Sequence, residues 1–311
     1  VNLKNSIIAG NSVGTSGTGP DCDGTLTPTT PGYNFIGDNS GCTGFPAGNP
    51  NANSDYVNAG GLLLGGLTGD PAYHPHQPGS TALDKVPVAN CTFISSGKNP
   101  LFSNGAAVTA DQRGVVRPQG THCDIGAYES AGFGSLTIVK TVVNDNGGTL
   151  SSSDFTINVS GNNPSQTSFA GSESGVVVTV EAGAYSVTED PVAGYSGSFS
   201  ADCSGDIAAG ENKTCTVTND DIAPTITVTK VVIPASDTGV FSLTIDEVSH
   251  AEGGNGTSTG AIAVSVGTRS IGETGASGTD LADYDRVIGG DCAADGTITV
   301  ALADNASCTL T

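Results

Sequence analysis

Three side chains stand out for the chemistry they could do together: Lys140, Glu189 and Asn219. Each falls in a run of alternating residues, where every second side chain shares a face of the strand. Leu136, Ile138, Lys140 and Val142 share one face, otherwise apolar. Tyr185, Val187 and Glu189 share another, as do Cys215, Val217 and Asn219. Parity therefore sets an amine, a carboxyl and a carboxamide on the buried sides of their strands. An isolated ammonium in a core is very costly, so it must be paired, neutralised or consumed. The plain alternative is a lysine snorkelling to the sheet rim, a glutamate pairing with it, and an asparagine starting a turn. The pattern recurs further on. Ile226, Val228, Lys230 and Val232 share a face, Ile271 shares one with Glu273, and Cys308 with Leu310. Arg269 stands where the first set has its tyrosine, and the next position of acceptor parity would follow Thr311. A closed second constellation is therefore not expected within this sequence, unless a longer last strand or a neighbouring chain completes it.

The elements that must position these groups read as all-β. The 311 residues include 45 glycines, no Met and no Trp, and Thr, Val and Ser dominate. Such a composition favours strands and turns over helices. Three segments separate: 1–132, 133–222 and 223–311. The first is turn-dense and holds most of the prolines. The other two each show about seven alternating runs, which fits a β-sandwich. They also repeat one another: LTIVKTVV (136–143) matches ITVTKVVI (226–233), AYSVTED (184–190) matches TRSIGET (268–274), and DCSGDI and NKTCTVT (202–218) match DCAADG and NASCTLT (291–311). The joints at 130–135 and 219–225 have linker composition. The opening VNLKNSIIAGNS resembles one rung of a right-handed parallel β-helix, and one rung cannot bury its own face. The chain begins with Val1 and carries no signal-peptide pattern, so a mature product or a fragment is expected.

Charge and cysteines narrow the function classes. The net charge is −21, distributed −4, −9 and −8 over the three segments. That balance excludes nucleic acid as a partner, because phosphate binding needs clustered Lys and Arg. No stretch approaches a membrane-spanning apolar run. The eight cysteines form four sequence-local pairs: Cys22 with Cys42, Cys91 with Cys123, Cys203 with Cys215, and Cys292 with Cys308. The last two pairs are expected as disulfides because they occupy equivalent places in the repeated segments. The other two are also expected as disulfides, with buried free thiols as the plain alternative. An even count in an acidic Gly/Thr/Asn-rich chain suits an oxidising, extracellular setting.

Two resemblances add to this. GYNFIGDNSGC (32–42), PGSTALD (78–84) and DQRGVVRPQGTHCDIGAYE (111–129) resemble the region closing the β-helix in bacterial surface proteins of the choice-of-anchor Q type, and in polymorphic outer-membrane proteins. This covers residues 1–130 and implies surface display without a reaction. The Lys on a first strand, the Glu of a Y-x-x-x-E pattern and the Asn ending a last strand resemble the B-type, prealbumin-like domains of Gram-positive collagen adhesins and pilins. This covers 135–221, and 225–311 with departures. The resemblance implies a spontaneous isopeptide bond, with Lys140 as nucleophile, Asn219 as acyl donor and Glu189 polarising the amide and shuttling protons. Phe155, Phe169 and Phe199 would keep the surroundings dry. Lys230 and Glu273 are the weaker counterparts.

Other candidates have plainer readings. His74-Pro75-His76, with His122 in the same segment, has a metal-like look but no carboxylate at ligand spacing, so no metal is expected. Asp111, Arg113, Arg117, Asp124 and Glu129 fit an ion-pair and turn network. Asp21-Cys22-Asp23-Gly24 and Asn144-Asp145-Asn146-Gly147 look like pieces of calcium loops but are explained by turn chemistry. The sequons at Asn90, Asn158, Asn212, Asn255 and Asn305 are expected by chance in so Asn- and Ser/Thr-rich a chain. No cofactor motif or catalytic signature occurs. The expected protein is a non-enzymatic structural unit of an extracellular or cell-surface stalk or fibre, with copies of itself as partners. The alternatives are an adhesin for glycan or host protein, and the non-catalytic end of a β-helix polysaccharide-degrading enzyme.

Overall fold

A computed structural model of the chain describes residues 2–11, 21–94 and 104–311. Val1 and Ser12, the ends of the opening run, lie outside the described residues. Among those described, strands, turns and four short 3-10 segments make up the fold, without an α-helix.

In the first segment the strands are two residues long, and most pair in parallel. Asn2–Leu3 pairs with Thr27–Pro28, and Gly24–Thr25 with Cys42–Thr43. Ile7–Ile8, Phe35–Ile36 and Tyr56–Val57 lie side by side in a three-stranded parallel sheet. These form separate small sheets and no continuous solenoid ladder among the described residues. Polar turns hold the stack. Ser6 N–H donates to Asn34 Oδ1 at 3.1 Å, and Asn34 donates from its backbone and from Nδ2 to Asp55 Oδ1 at 2.9 and 2.8 Å. Asn34 and Asp55 are fully buried, so these bonds satisfy groups that water cannot reach. Phe35, Ala82, Val86 and Ile125 form the core with Cys91 and Cys123.

The second segment holds seven strands: β1 (Phe133–Val143), β2 (Thr156–Asn162), β3 (Ser168–Ala170), β4 (Val176–Glu189), β5 (Tyr195–Phe199), β6 (Ser204–Ile207) and β7 (Asn212–Asp221). Their order is β3-β2-β4-β1-β7-β5, with β6 also on β4. The fourteen-residue β4 serves both halves of the sandwich: its start pairs with β1, its end with β2 and β6. Gly183, at φ 137, makes the bend between them. β1 and β7 run parallel, with Ile138 opposite Cys215 and Lys140 opposite Val217. Parallel neighbours need a crossover, and here the crossover is the rest of the segment. Leu136, Ile138, Ile157, Val178, Val180, Val187 and Val217 fill the core.

The third segment continues with β8 (Thr225–Lys230), β9 (Val240–Ile245), β10 (Val248–Gly253), β11 (Ile262–Ala263), β12 (Gly267–Ala276), β13 (Ile288–Gly290), β14 (Thr297–Val300) and β15 (Asn305–Leu310). They make two four-stranded sheets, β11-β8-β15-β13 and β10-β9-β12-β14. The first and last strands are again parallel neighbours, Lys230 opposite Leu310.

Linker composition at the joints misleads. Phe133 already belongs to β1, and β7 runs to Asp221. Glu181 of β4 accepts from Ala131 N–H at 2.8 Å and from the Tyr128 hydroxyl, and Gln77 Nε2 donates to Asn163 Oδ1 at 2.8 Å. On the other side, Ile222 N–H donates to Gly194 O and Ala303 N–H to Ile222 O, both at 2.9 Å. Each joint is tied by hydrogen bonds to its neighbours.

All eight cysteines are paired, as Cys22–Cys42, Cys91–Cys123, Cys203–Cys215 and Cys292–Cys308. The last two close equivalent ends of the two sandwiches, each reaching the last strand.

Candidate functional site

Lys140 sits at the centre of the second segment with no exposed surface. The alternation of β1 puts it on the core face after Leu136 and Ile138. Its Nζ lies 2.7 Å from Asn219 Oδ1, 3.2 Å from Glu189 Oε1 and 3.3 Å from Thr141 O. Asn219 reaches it from the parallel neighbour β7, and Glu189 from the end of β4. The Phe155 ring, also fully buried, lies 4.2 Å from Nζ and meets Tyr195 edge-on. Burial pushes the Lys140 amine below its ordinary pKa, and the Glu189 charge pulls part of that shift back. The three residues singled out by parity therefore converge on one dry pocket.

Phe169 packs at the edge of the core. Phe199 does not line the pocket. It sits on the edge strand β5 and is 46% exposed. Two glycines that parity could not reveal shape the site. A Cβ on Gly171 would sit 2.7 Å from Lys140 Cγ, and one on Gly197 would sit 3.4 Å from both Asn219 Oδ1 and Glu189 Oε2. The bare Gly171 lets the lysine stem lie flat against the neighbouring strand, while a Cβ at Gly197 would just touch the acyl group.

The third segment builds a related site. Lys230 Nζ lies 2.8 Å from Glu273 Oε2 and 3.1 Å from Oε1, over the Phe241 ring at 4.1 Å. Both charged groups are buried. Among the described residues Glu273 is the hydrogen-bond partner of Lys230 Nζ, with no carboxamide bonded to that amine. Phe241 repeats Phe155, a correspondence that the alternating runs did not show.

The remaining candidates fall elsewhere. Asp111, Arg113, Arg117, Asp124 and Glu129 form a network under the first joint. Asp111 pairs with Arg113 at 2.7 Å and Glu129 with Arg117 at 3.3 Å. Arg113 also lies 3.6 Å over the Tyr128 ring. Asp124 accepts from the Asp84 and Ser130 amides, both at 2.7 Å. Burial foremost, with the Glu129 and Asp84 charges, pushes its pKa up to about 7. A raised carboxyl pKa favours the fold fully below the ordinary value of 3.8 and withdraws that contribution as pH rises to about 7. The first segment is thus expected to lose up to about 4 kcal/mol between those limits, and Asp124→Asn to flatten the profile. Thermal melts from pH 4 to 8 test this.

Asp21 accepts from the Asn11 and Asp38 amides, 10 and 17 residues away, and so ties separate loops together. The 144–147 turn is held by Asp221, which accepts from the Asp145, Asn146 and Gly148 amides at 2.6 to 3.0 Å. The Asp145, Asp220 and Asp221 carboxylates lie close together, without a further feature that marks a cation site. His122 lies on a two-residue strand with Cys123, paired with Val86–Pro87, apart from the His74/His76 cavity.

Residues 132–226 match the family described as a prealbumin-like fold domain. The chain is thus an all-β protein carrying a prealbumin-like domain that encloses the Lys140 site. Among solved structures it is similar to the Bacillus anthracis TIE protein, at 18% identity over 58% of this chain and 33% of that one, with a TM-score of 0.34. It spans about a third of that protein. It is also similar to the Streptococcus pyogenes major pilin T-13, at 10% identity over 58% of this chain and 96% of the pilin, TM-score 0.25. A further S. pyogenes major pilin aligns at 14% identity over 58% and 97%, TM-score 0.23. No curated protein matches the chain. No helix among the described residues is long and apolar enough to cross a membrane.

Proposed function

We propose that this chain is a load-bearing unit of an extracellular or cell-surface fibre or stalk, without catalytic turnover. The observation that carries this reading is the Lys140 pocket, where Lys140 Nζ meets Asn219 Oδ1 at 2.7 Å and Glu189 at 3.2 Å. This proximity supports an isopeptide bond between Lys140 and Asn219. The Lys140 amine attacks Asn219 Cγ, the Nζ–Cγ bond forms, and the Cγ–Nδ2 bond breaks. Glu189 takes the proton from Nζ and passes it to the departing nitrogen, which leaves as ammonia. The reaction occurs once and consumes the buried amine. The bond would join β1 to β7, neighbouring parallel strands at opposite ends of the segment's sequence. Force entering at one terminus and leaving at the other would pass through it and bypass most of the sandwich.

The rest of the molecule supports a fibre role. Lys230, Glu273 and Phe241 repeat the first site's lysine, glutamate and aromatic ring, which supports reading 223–311 as a second prealbumin-like domain. The short parallel strands and buried Asn34–Asp55 turns support reading 1–132 as the end of a parallel β-helix. Four disulfides and the acidity of the sandwiches suit a solvated extracellular stalk. Among the described residues the Ile7–Ile8 strand is paired on one side, and such an edge can template pairing with another copy. Electron microscopy of the native assembly should show filaments or rods. Discrete globular particles would contradict the fibre reading.

Gly171 supplies a local test of the chemistry. Gly171→Val would push a branched side chain against the Lys140 stem, where a Cβ would already sit 2.7 Å from Cγ. The expected result is a folded segment, destabilised by about 1–3 kcal/mol, in which intact-mass analysis finds no ammonia lost. Full cross-linking in this variant would show that the close approach at Gly171 is dispensable.

A further inference from the structure

Each lysine site has an outer layer that the lysine, glutamate and asparagine do not account for. Lys140 Nζ lies 4.2 Å from the centre of the Phe155 ring, and Phe155 meets Tyr195 at 5.4 Å and 84°. Lys230 Nζ lies 4.1 Å from the centre of the Phe241 ring, and Phe241 meets Tyr284 at 5.0 Å and 82°. Both phenylalanines are fully buried, and both tyrosines are half-buried. The order lysine, phenylalanine, tyrosine is thus built twice with nearly the same geometry.

Both hydroxyls are tied to the loop that leaves the lysine's strand. The Tyr195 hydroxyl donates to Asn144 Oδ1 at 2.7 Å and accepts from Leu150 N–H at 3.1 Å. The Tyr284 hydroxyl donates to Asp237 Oδ1 at 2.8 Å, and Gly239 N–H donates to the same oxygen at 2.7 Å. A glycine makes room for each hydroxyl. A Cβ on Gly148 would collide with that of Tyr195, and one on Gly239 with that of Tyr284. Tyr195 opens β5 and Tyr284 precedes β13, the strands that pair with β7 and β15 on their outer sides. The sequence hides this match, because Tyr195 follows Glu189 by six residues and Tyr284 follows Glu273 by eleven.

We propose that Tyr195 and Tyr284 are positioning residues that close the two lysine sites against water by bracing the aromatic ring on each amine. For Lys140 the consequence rests on the isopeptide reading; for Lys230 it stands without it. The edge-to-face contact helps to fix the phenylalanine in one rotamer. The hydroxyl bond carries that hold to the loop beyond the lysine. With the tyrosine cut back to alanine, the phenylalanine loses its brace and water reaches the amine. A hydrated Lys140 amine holds its proton, and an ammonium has no lone pair with which to attack Asn219 Cγ. At Lys230 the same opening admits a reagent from solvent.

The test uses the full chain, with circular dichroism confirming the fold of each variant. Reductive methylation with formaldehyde, read by peptide mapping, reports access to Lys230. Tyr284→Ala should speed its labelling roughly ten-fold or more, the worth of an edge-to-face pair together with its hydroxyl bond. Tyr284→Phe keeps the ring and should stay near the parent rate. Val300→Ala loosens the same core elsewhere, opposite Gly267 and six residues along β12 from Glu273, and should leave Lys230 protected. In the second segment, intact mass should show Tyr195→Ala mainly without ammonia loss and Tyr195→Phe with it. A parent chain that has lost no ammonia would overturn the isopeptide reading, and Lys230 labelling then decides the role of the tyrosines by itself. Unchanged Lys230 labelling in Tyr284→Ala, equal labelling in Val300→Ala, or full cross-linking in Tyr195→Ala would overturn the proposal.

Discussion

An Asn219→Ala variant should melt far below the parent protein in the transition of its second segment. Two effects add. Without the acyl donor the cross-link cannot form, and the 79-residue separation between Lys140 and Asn219 is released in the unfolded chain. By analogy with disulfide loop closure this costs on the order of 4 kcal/mol. The variant also removes the nearest acceptor from a fully buried amine, leaving Glu189 and Thr141 O to satisfy it. For a unit of this size each kcal/mol shifts the midpoint by about 4–8 °C, so a fall of some 20 °C or more is expected. Glu189→Gln keeps the shape and leaves Lys140 with Asn219, but removes the proton relay and, with it, the countercharge 3.2 Å from the buried amine. Its fold should persist while the covalent contribution is lost. Scanning calorimetry of both variants measures the difference. A midpoint within a few degrees of the parent in each would mean that no covalent bond supports this segment.

Glu273→Ala in the third segment should be comparably damaging, for a different reason. Among the described residues no carboxamide bonds to Lys230 Nζ, and its charge rests on Glu273 at 2.8 Å. Removing one half of a buried ion pair leaves the other half uncompensated and costs about 3–5 kcal/mol. Replacing both halves by apolar groups of similar volume, as in Lys230→Met with Glu273→Leu, should restore most of that stability. Urea unfolding followed by far-ultraviolet circular dichroism resolves the two cases. Equal destabilisation by the single and double changes would show that packing around the pair, and not its charge, sets the cost.

The two lysine sites show why parts of the molecule were legible in the sequence. The sandwich strands alternate with period two, so Lys140, Glu189, Asn219, Lys230 and Glu273 could be assigned to buried faces strand by strand. The all-β class and the repeat followed from the same alternation. Parity does not say which strands are neighbours, so Gly171, Gly197 and Phe241 stayed hidden. It also cannot distinguish a central strand from an edge, which is why Phe199 reads as a pocket residue and lies at the rim. The first segment offered less, because strands of two residues are too short to show a period. There the informative signals were turn residues, and contacts such as Asn5 with the 125–126 stretch depend on long-range folding. Linker composition at 130–135 and 219–225 covers short non-strand connections between ordered strands, with Glu181 and Ile222 bonding across the joints.

A bond between Lys140 and Asn219 changes the mass of the chain, and the intact mass of the purified protein tests for it most directly. With its four disulfides accounted for, the protein should weigh about 17 Da less than its sequence, the mass of one ammonia released in forming the amide. Proteolysis should then yield a branched peptide joining the Lys140 and Asn219 fragments. A mass equal to the sequence, with those fragments recovered separately, would contradict the account.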